Sequence, residues 1–159
     1  MDQIQVFDDF LLPEELQYIQ DVTLKSDRWK FGHTSLVNVP GIPFWNIPLS
    51  KDSFFMRHLI KKIENVTKKN FVISHVYANG QTYGQEGDYH QDTTSECPGE
   101  EKYYTFLIYI SDITPENVYV YGGHTIFKDN EKTKAVEPIQ GRAVLFDSEI
   151  LHVGMSPSR

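Results

Sequence analysis

Tyr89-His90-Gln91-Asp92 and, much later, Leu151-His152-Val153 contain the residue types that hold a transition metal. On extended backbone, residues i and i+2 leave the chain on the same side. His90 and Asp92 can therefore present an imidazole and a carboxylate to one point. A histidine from a later strand would complete two nitrogens and one oxygen on one face of a metal. That set suits non-haem Fe(II), because the opposite face stays open for a co-substrate and dioxygen. Taken alone, His-x-Asp arises often by chance, and a surface histidine beside an acid is its plainer meaning. The surrounding chain has to decide between the two.

The chain has 159 residues, enough for one domain with a sizeable core. Its hydrophobic content of 40%, with 13% aromatic, argues against disorder. Nine Tyr and ten Phe against three Met point to an aromatic-rich β core. A formal charge of -7 disfavours non-specific binding to a phosphate backbone. The single cysteine, Cys97, rules out an intrachain disulfide or a cysteine-rich zinc site. No apolar run is long enough to cross a bilayer, and Met1-Asp2-Gln3 opens no signal segment, so a cytoplasmic setting is expected.

The elements that must position the candidate ligands follow from the pattern. Ile4–Phe7 reads as a short strand, and Pro13 with Glu14 and Glu15 as the start of a helix reaching about Leu24. Trp29–Val39 is expected as a strand, and Trp45 as a core or lid-packing aromatic with a substrate-mouth role as the alternative. A second helix is expected after Ser50 as N-cap, with Phe55, Leu59, Ile63 and Val66 on one face. The lysines at its end fit a solvated C-terminus better than a nucleic-acid patch. The pattern turns to β at Phe71–Ala78, ended by Asn79-Gly80. Polar loops flank His90 and Asp92 at Gln81–Asp88 and Thr93–Lys102. Strands are expected at Tyr103–Ile110, His124–Phe127 and Gly141–Phe146, with a connection at Asp112–Tyr119, a sharp turn at Gly122-Gly123 and a hairpin turn at Lys128–Lys132. Two early helices followed by about eight short strands argue for an α+β domain with a β-sandwich or barrel core.

Several of these stretches occur in a recognisable order. Val6-Phe7-Asp8-Asp9-Phe10-Leu11 precedes Pro13-Glu14-Glu15. Tyr77-x-x-Gly80-Gln81-x-Tyr83 leads to His90-x-Asp92. Thr105–Ile110, Gly122-Gly123-His124-Thr125-x-Phe127, and Gly141–Phe146 with His152 then follow. The chain resembles the Fe(II)- and 2-oxoglutarate-dependent dioxygenases, in their prolyl 4-hydroxylase-like branch, over nearly its whole length. The resemblance implies a double-stranded β-helix (jelly-roll) core with two N-terminal helices packed on the major sheet. It also implies Fe(II) at His90, Asp92 and His152, 2-oxoglutarate as co-substrate and ascorbate as a candidate reductant.

The same resemblance makes Tyr77 the candidate to donate its hydroxyl to 2-oxoglutarate, against a core role. Thr105 and Thr125 are candidates to face the co-substrate pocket, and His124 falls at a non-ligand place. In the family a basic residue on a strand after the distal histidine pairs with the far carboxylate of 2-oxoglutarate. Here the sequence ends at Arg159. Either Arg159 fills that place in an unusual register, or the single domain over 1–159 lacks its last strand, the reading preferred here. The implied substrate is a prolyl residue in a peptide or protein. Oxygenation of a free amino acid or other small molecule, nucleic-acid demethylation, and a non-catalytic β-sandwich binding protein stay as alternatives. The last predicts that His90, Asp92 and His152 do not converge.

Overall fold

A computed structural model describes residues 3–36, 38–92, 102–129 and 132–159. Strand β1 (Ile4–Phe7) leads into helix α1 (Pro13–Thr23). The Glu15 carboxylate turns back to accept the Leu12 N–H at 2.8 Å, which satisfies one free donor of the first turn. Strands β2 (Lys30–His33) and β3 (Phe44–Pro48) follow. A π-helical turn (Phe54–Leu59) then runs into α2 (Ile60–Thr67). Asp52, not Ser50, caps that turn, its Oδ1 accepting the Phe54 N–H at 2.8 Å. Ser50 is committed elsewhere, since its hydroxyl bridges the Val76 N–H and carbonyl.

The remaining elements are β4 (Tyr77–Gly80), β5 (Tyr104–Ile108), the single turn α3 (Val118–Tyr121), β6 (Thr125–Asp129), β7 (Lys132–Val136), β8 (Ala143–Asp147) and β9 (Leu151–Gly154). They form three antiparallel sheets in the orders β1-β8-β5, β2-β3-β4 and β7-β6-β9. The result is an α+β fold with a β-sandwich core. Two apolar clusters occupy its layers. One lies between the first and third sheets and joins Ile4, Tyr109, Phe127, Val136, Val144 and Phe146. The other joins Ile19, Phe55 and Leu59 of the helical segments to Ile47, Ala78, Phe106, Ile108 and Ala143 of the first two sheets. The period of two along β5 explains how one strand serves both layers: Phe106 and Ile108 face the helices, Leu107 and Tyr109 the sandwich interior.

Some elements depart from the sequence expectation. The strand expected over Phe71–Ala78 begins only at Tyr77, and Val72 is 98% exposed. An apolar β-former with no neighbouring strand to pair with or pack against gains nothing from extension. The strand expected over Trp29–Val39 is cut to Lys30–His33, with Gly32 at φ 113° and a register shift beside it. The stretch Phe44–Pro48, which has no clear sequence signature, is the central strand of its sheet. The Gly122-Gly123 turn places both residues at positive φ, 66° and 80°, where a side chain is strained. The loop expected over Thr93–Lys102 lies, apart from Lys102, outside the described residues, as does the tip of the β6–β7 hairpin.

Candidate metal centre

His152 enters the centre from β9, which pairs with β6 from Thr125↔Gly154 to Lys128↔Leu151. Its ring is 7% exposed by residue and packs against Phe146, edge to face at 4.8 Å, and Phe127 at 6.0 Å. His90 attaches to the other edge of β9 as an isolated bridge: its N–H donates to the His152 carbonyl and the His152 N–H to the His90 carbonyl, both at 2.9 Å. The exchange lays the two imidazoles 4.4 Å apart. Two residues on, the Asp92 N–H donates to the Ser148 carbonyl at 2.9 Å, fixing the carboxylate between the two rings.

The donor atoms of His90, Asp92 and His152 all lie within 4.8 Å of one another. Asp92 Oδ1 is 3.4 Å from His90 Nε2, and Oδ2 is 3.6 Å from His152 Nε2. Each histidine uses its other nitrogen the same way. His90 Nδ1 bonds the Asp88 carbonyl at 2.8 Å, and His152 Nδ1 bonds the Ile150 carbonyl at 2.9 Å. A carbonyl only accepts, so Nδ1 carries the proton and Nε2 turns its lone pair to the shared centre. Two neutral nitrogens and one carboxylate oxygen on one side is a donor set that Fe(II) accepts. The arrangement therefore fits a metal ion, and it answers the expectation of a non-catalytic sandwich, whose three residues would lie apart.

The surroundings shift the three groups in different directions. Burial by itself would raise the Asp92 carboxyl, but the His90 and His152 imidazoles and the Thr105 hydroxyl outweigh it and hold it below its ordinary range. Burial works to lower His90, yet Asp92 and the Asp88 carbonyl raise it overall. His152 stays lowered because burial dominates there.

The other expected site residues scatter around this centre. The Thr105 hydroxyl donates to Asp92 Oδ2 and lies 3.1 Å from the Ser148 hydroxyl, so it serves the carboxylate. Thr125 is buried, and its hydroxyl accepts from the Tyr109 phenol at 2.7 Å. Tyr77 is 47% exposed, its ring lies 6.3 Å from that of His33, and its phenol is pushed up by desolvation and by the charge of Asp92. Arg159 is exposed and has no ion-pair partner among the described residues. Trp45 stands apart: it shares a strand face with the fully buried Ile47, while Tyr77 pairs with Pro48 on the opposite face. Trp45 packs against Phe31 with the rings tilted and their centroids 5.2 Å apart.

Two residues escaped the sequence reading. Tyr109 is buried, with burial pushing its phenol up to about 12, and it points to Thr125. Counting by two from Thr105 along its strand would have found it. Ser148, 3% exposed, braces both Asp92 and Thr105, and no local pattern marks it.

The family model for the 2OG-Fe(II) oxygenase superfamily matches residues 73–159. No curated protein sequence matches. Among solved structures, a Trichoplax adhaerens prolyl hydroxylase in complex with a hypoxia inducible factor oxygen degradation domain peptide fragment superposes with a TM-score of 0.72. It is 18% identical over 99% of this chain and 79% of that one. A viral collagen prolyl hydroxylase from Paramecium Bursaria Chlorella virus-1, in a 2OG complex, gives 0.60 at 16% identity, covering 98% of this chain and 88% of that one. A Pseudomonas putida prolyl-4-hydroxylase gives 0.59 at 14% identity, covering 99% and 86%. At these identities the structures speak for the fold.

Proposed function

Because the chain belongs to the 2OG-Fe(II) oxygenase superfamily, we propose that it is an Fe(II)- and 2-oxoglutarate-dependent hydroxylase of prolyl residues in a peptide or protein. The observation that carries this reading is the convergence of His90, Asp92 and His152 with both Nε2 atoms free to ligate. These three would hold the iron, which with 2-oxoglutarate and dioxygen supplies the oxidising power for C–H hydroxylation. Tyr77, Thr125 with Tyr109, and Arg159 are the candidates to hold 2-oxoglutarate. The Tyr77 phenol feels the charge of Asp92, and the Tyr109–Thr125 pair supplies hydroxyls in the sandwich interior. Phe127 and Phe146 wall the distal histidine and keep water from its inner side.

The peptide substrate is supported by likeness: the Trichoplax adhaerens enzyme of the same fold was solved with a peptide. The exposed phenols of Tyr77, Tyr83 and Tyr89 offer rigid aromatic surface on the approach to the centre. The reading places the catalytic core in one domain of the double-stranded β-helix type, with the helices packed against the first two sheets. Ascorbate as reductant and a cytoplasmic setting complete the reading. Omission of ascorbate from turnover assays and fractionation of producing cells check those two points.

The test is an anaerobically reconstituted assay with Fe(II) and 2-oxoglutarate against proline-containing peptides, free proline and methylated single-stranded DNA. Mass spectrometry should show a gain of one oxygen on the peptides and none on free proline. Oxygen on free proline, or methyl loss from DNA with inert peptides, overturns the substrate class and leaves the metal centre standing.

A further inference from the structure

Asp92 has two carboxylate oxygens and faces two imidazoles at nearly equal distance, 3.4 Å from Oδ1 and 3.6 Å from Oδ2. Nothing in that symmetry tells a metal ion which oxygen to take. The hydroxyls behind it do. An ionised carboxylate is an acceptor only, so Thr105 must spend its single proton on Asp92 Oδ2. Its oxygen can then only accept from its other neighbour, and the Ser148 hydroxyl, 3.1 Å away, must be the donor. The protons are ordered as Ser148 to Thr105 to Asp92, a chain in which each bond polarises the next. Ser148 also accepts the Asp92 N–H on its carbonyl, so one buried residue fixes both the backbone and, through Thr105, the side chain of Asp92.

We infer that Thr105, backed by Ser148, is a positioning residue that engages Asp92 Oδ2 and leaves Oδ1 as the single oxygen offered to the metal. The inference rests on the metal-centre reading above. A carboxylate that gives one oxygen leaves one more coordination position open than a carboxylate that gives two. For a centre that must accept a chelating co-substrate and dioxygen, that position decides whether both can bind. Thr105 would then act on the metal through Asp92, with no need to touch the co-substrate.

The test is a Mn(II) titration of the metal-free protein, reading free ion by electron paramagnetic resonance, beside thermal unfolding of the same samples without metal. Thr105→Val keeps the β-branched shape and deletes the hydroxyl. It should weaken Mn(II) binding by about 10- to 100-fold, the range for loss of a group that orients a ligand. The metal-free melting temperature should move little. Thr105→Ser restores the hydroxyl and should bind within a few-fold of the parent, and Ser148→Ala should fall between parent and Thr105→Val. Parent-like affinity in Thr105→Val overturns the inference while parent binding and its loss in Asp92→Ala uphold the metal centre. Equal weakening in Thr105→Val and Thr105→Ser overturns it too, because the hydroxyl would not be the cause. A parent protein that binds no Mn(II) overturns the inference and the metal-centre reading together.

Discussion

The two sides of the metal centre are built by different means. His152 belongs to a ladder, with β6 along one edge of its strand and two phenylalanine rings against its imidazole. His90 and Asp92 belong to no named strand. They are held by one bridge to His152, by one bond to the Ser148 carbonyl, and by the Asp88 carbonyl behind the His90 ring. The first side gets its geometry from packing in an aromatic core. The second takes its geometry from the first, because its backbone anchors are residues at or just before β9. A ligand set with one rigid and one borrowed side can admit substrate along the borrowed side without loosening the other.

The sharpest way to break this comparison is to remove one ligand from each side. His152→Ala and His90→Ala should each abolish iron-dependent turnover. They should differ in stability, since only His152 fills a buried place between Phe127 and Phe146. Chemical denaturation of the metal-free proteins should show a clear loss for His152→Ala and almost none for His90→Ala. Equal losses would mean that the two sides are not built differently.

The next effect belongs to the shared core. Phe127 is fully buried and touches both Phe146 and His152. Phe127→Ala should cost about 3–5 kcal/mol, the range for deleting a buried phenyl ring. Metal affinity measured well below the melting temperature should fall with it, as the packing side loses its hold on the imidazole.

A smaller effect, distant from both sides, sharpens the contrast by leaving the metal alone. Glu15 is 5% exposed and accepts from Lys62, His58 and the Leu12 N–H. Burial pushes its carboxyl up, but these partners outweigh burial and hold it below its ordinary value of 4.5. A carboxylate depressed in the folded state contributes fully above its unfolded pKa, and the contribution is lost as pH falls through the folded value. Glu15→Ala should therefore cost on the order of 2 kcal/mol at neutral pH, less than a fully buried pair because the His58 ring is exposed. The difference from the parent should shrink as pH drops below 4.5. Mn(II) affinity should not change. The smallest effect is Tyr109→Phe, about 1 kcal/mol for one buried hydrogen bond to Thr125, read by thermal unfolding.

The packed side was legible in the sequence, and the borrowed side much less so. Gly141–Phe146 and Tyr103–Ile110 are dense in β-formers, and both appear as paired strands within one or two residues of their expected limits. The ligand triad could be named because His-x-Asp places two donors on one side whatever the neighbouring turn does. Phe71–Val76 failed for a tertiary reason: the residues favour extension, but no ladder partner lies beside them among the described residues. Ser50 lost the capping role to Asp52 because Val76, distant in sequence, claimed its hydroxyl. Ser148 and Tyr109 matter through partners that lie far along the chain, which composition and period cannot report.

The central claim is that His90, Asp92 and His152 form one iron centre that consumes 2-oxoglutarate. The most direct measurement is succinate formation from 2-oxoglutarate by the purified protein, with and without added Fe(II), in the parent and in Asp92→Ala. Iron-dependent succinate in the parent and none in Asp92→Ala is the predicted result. Succinate formed by Asp92→Ala at the parent's rate would contradict it.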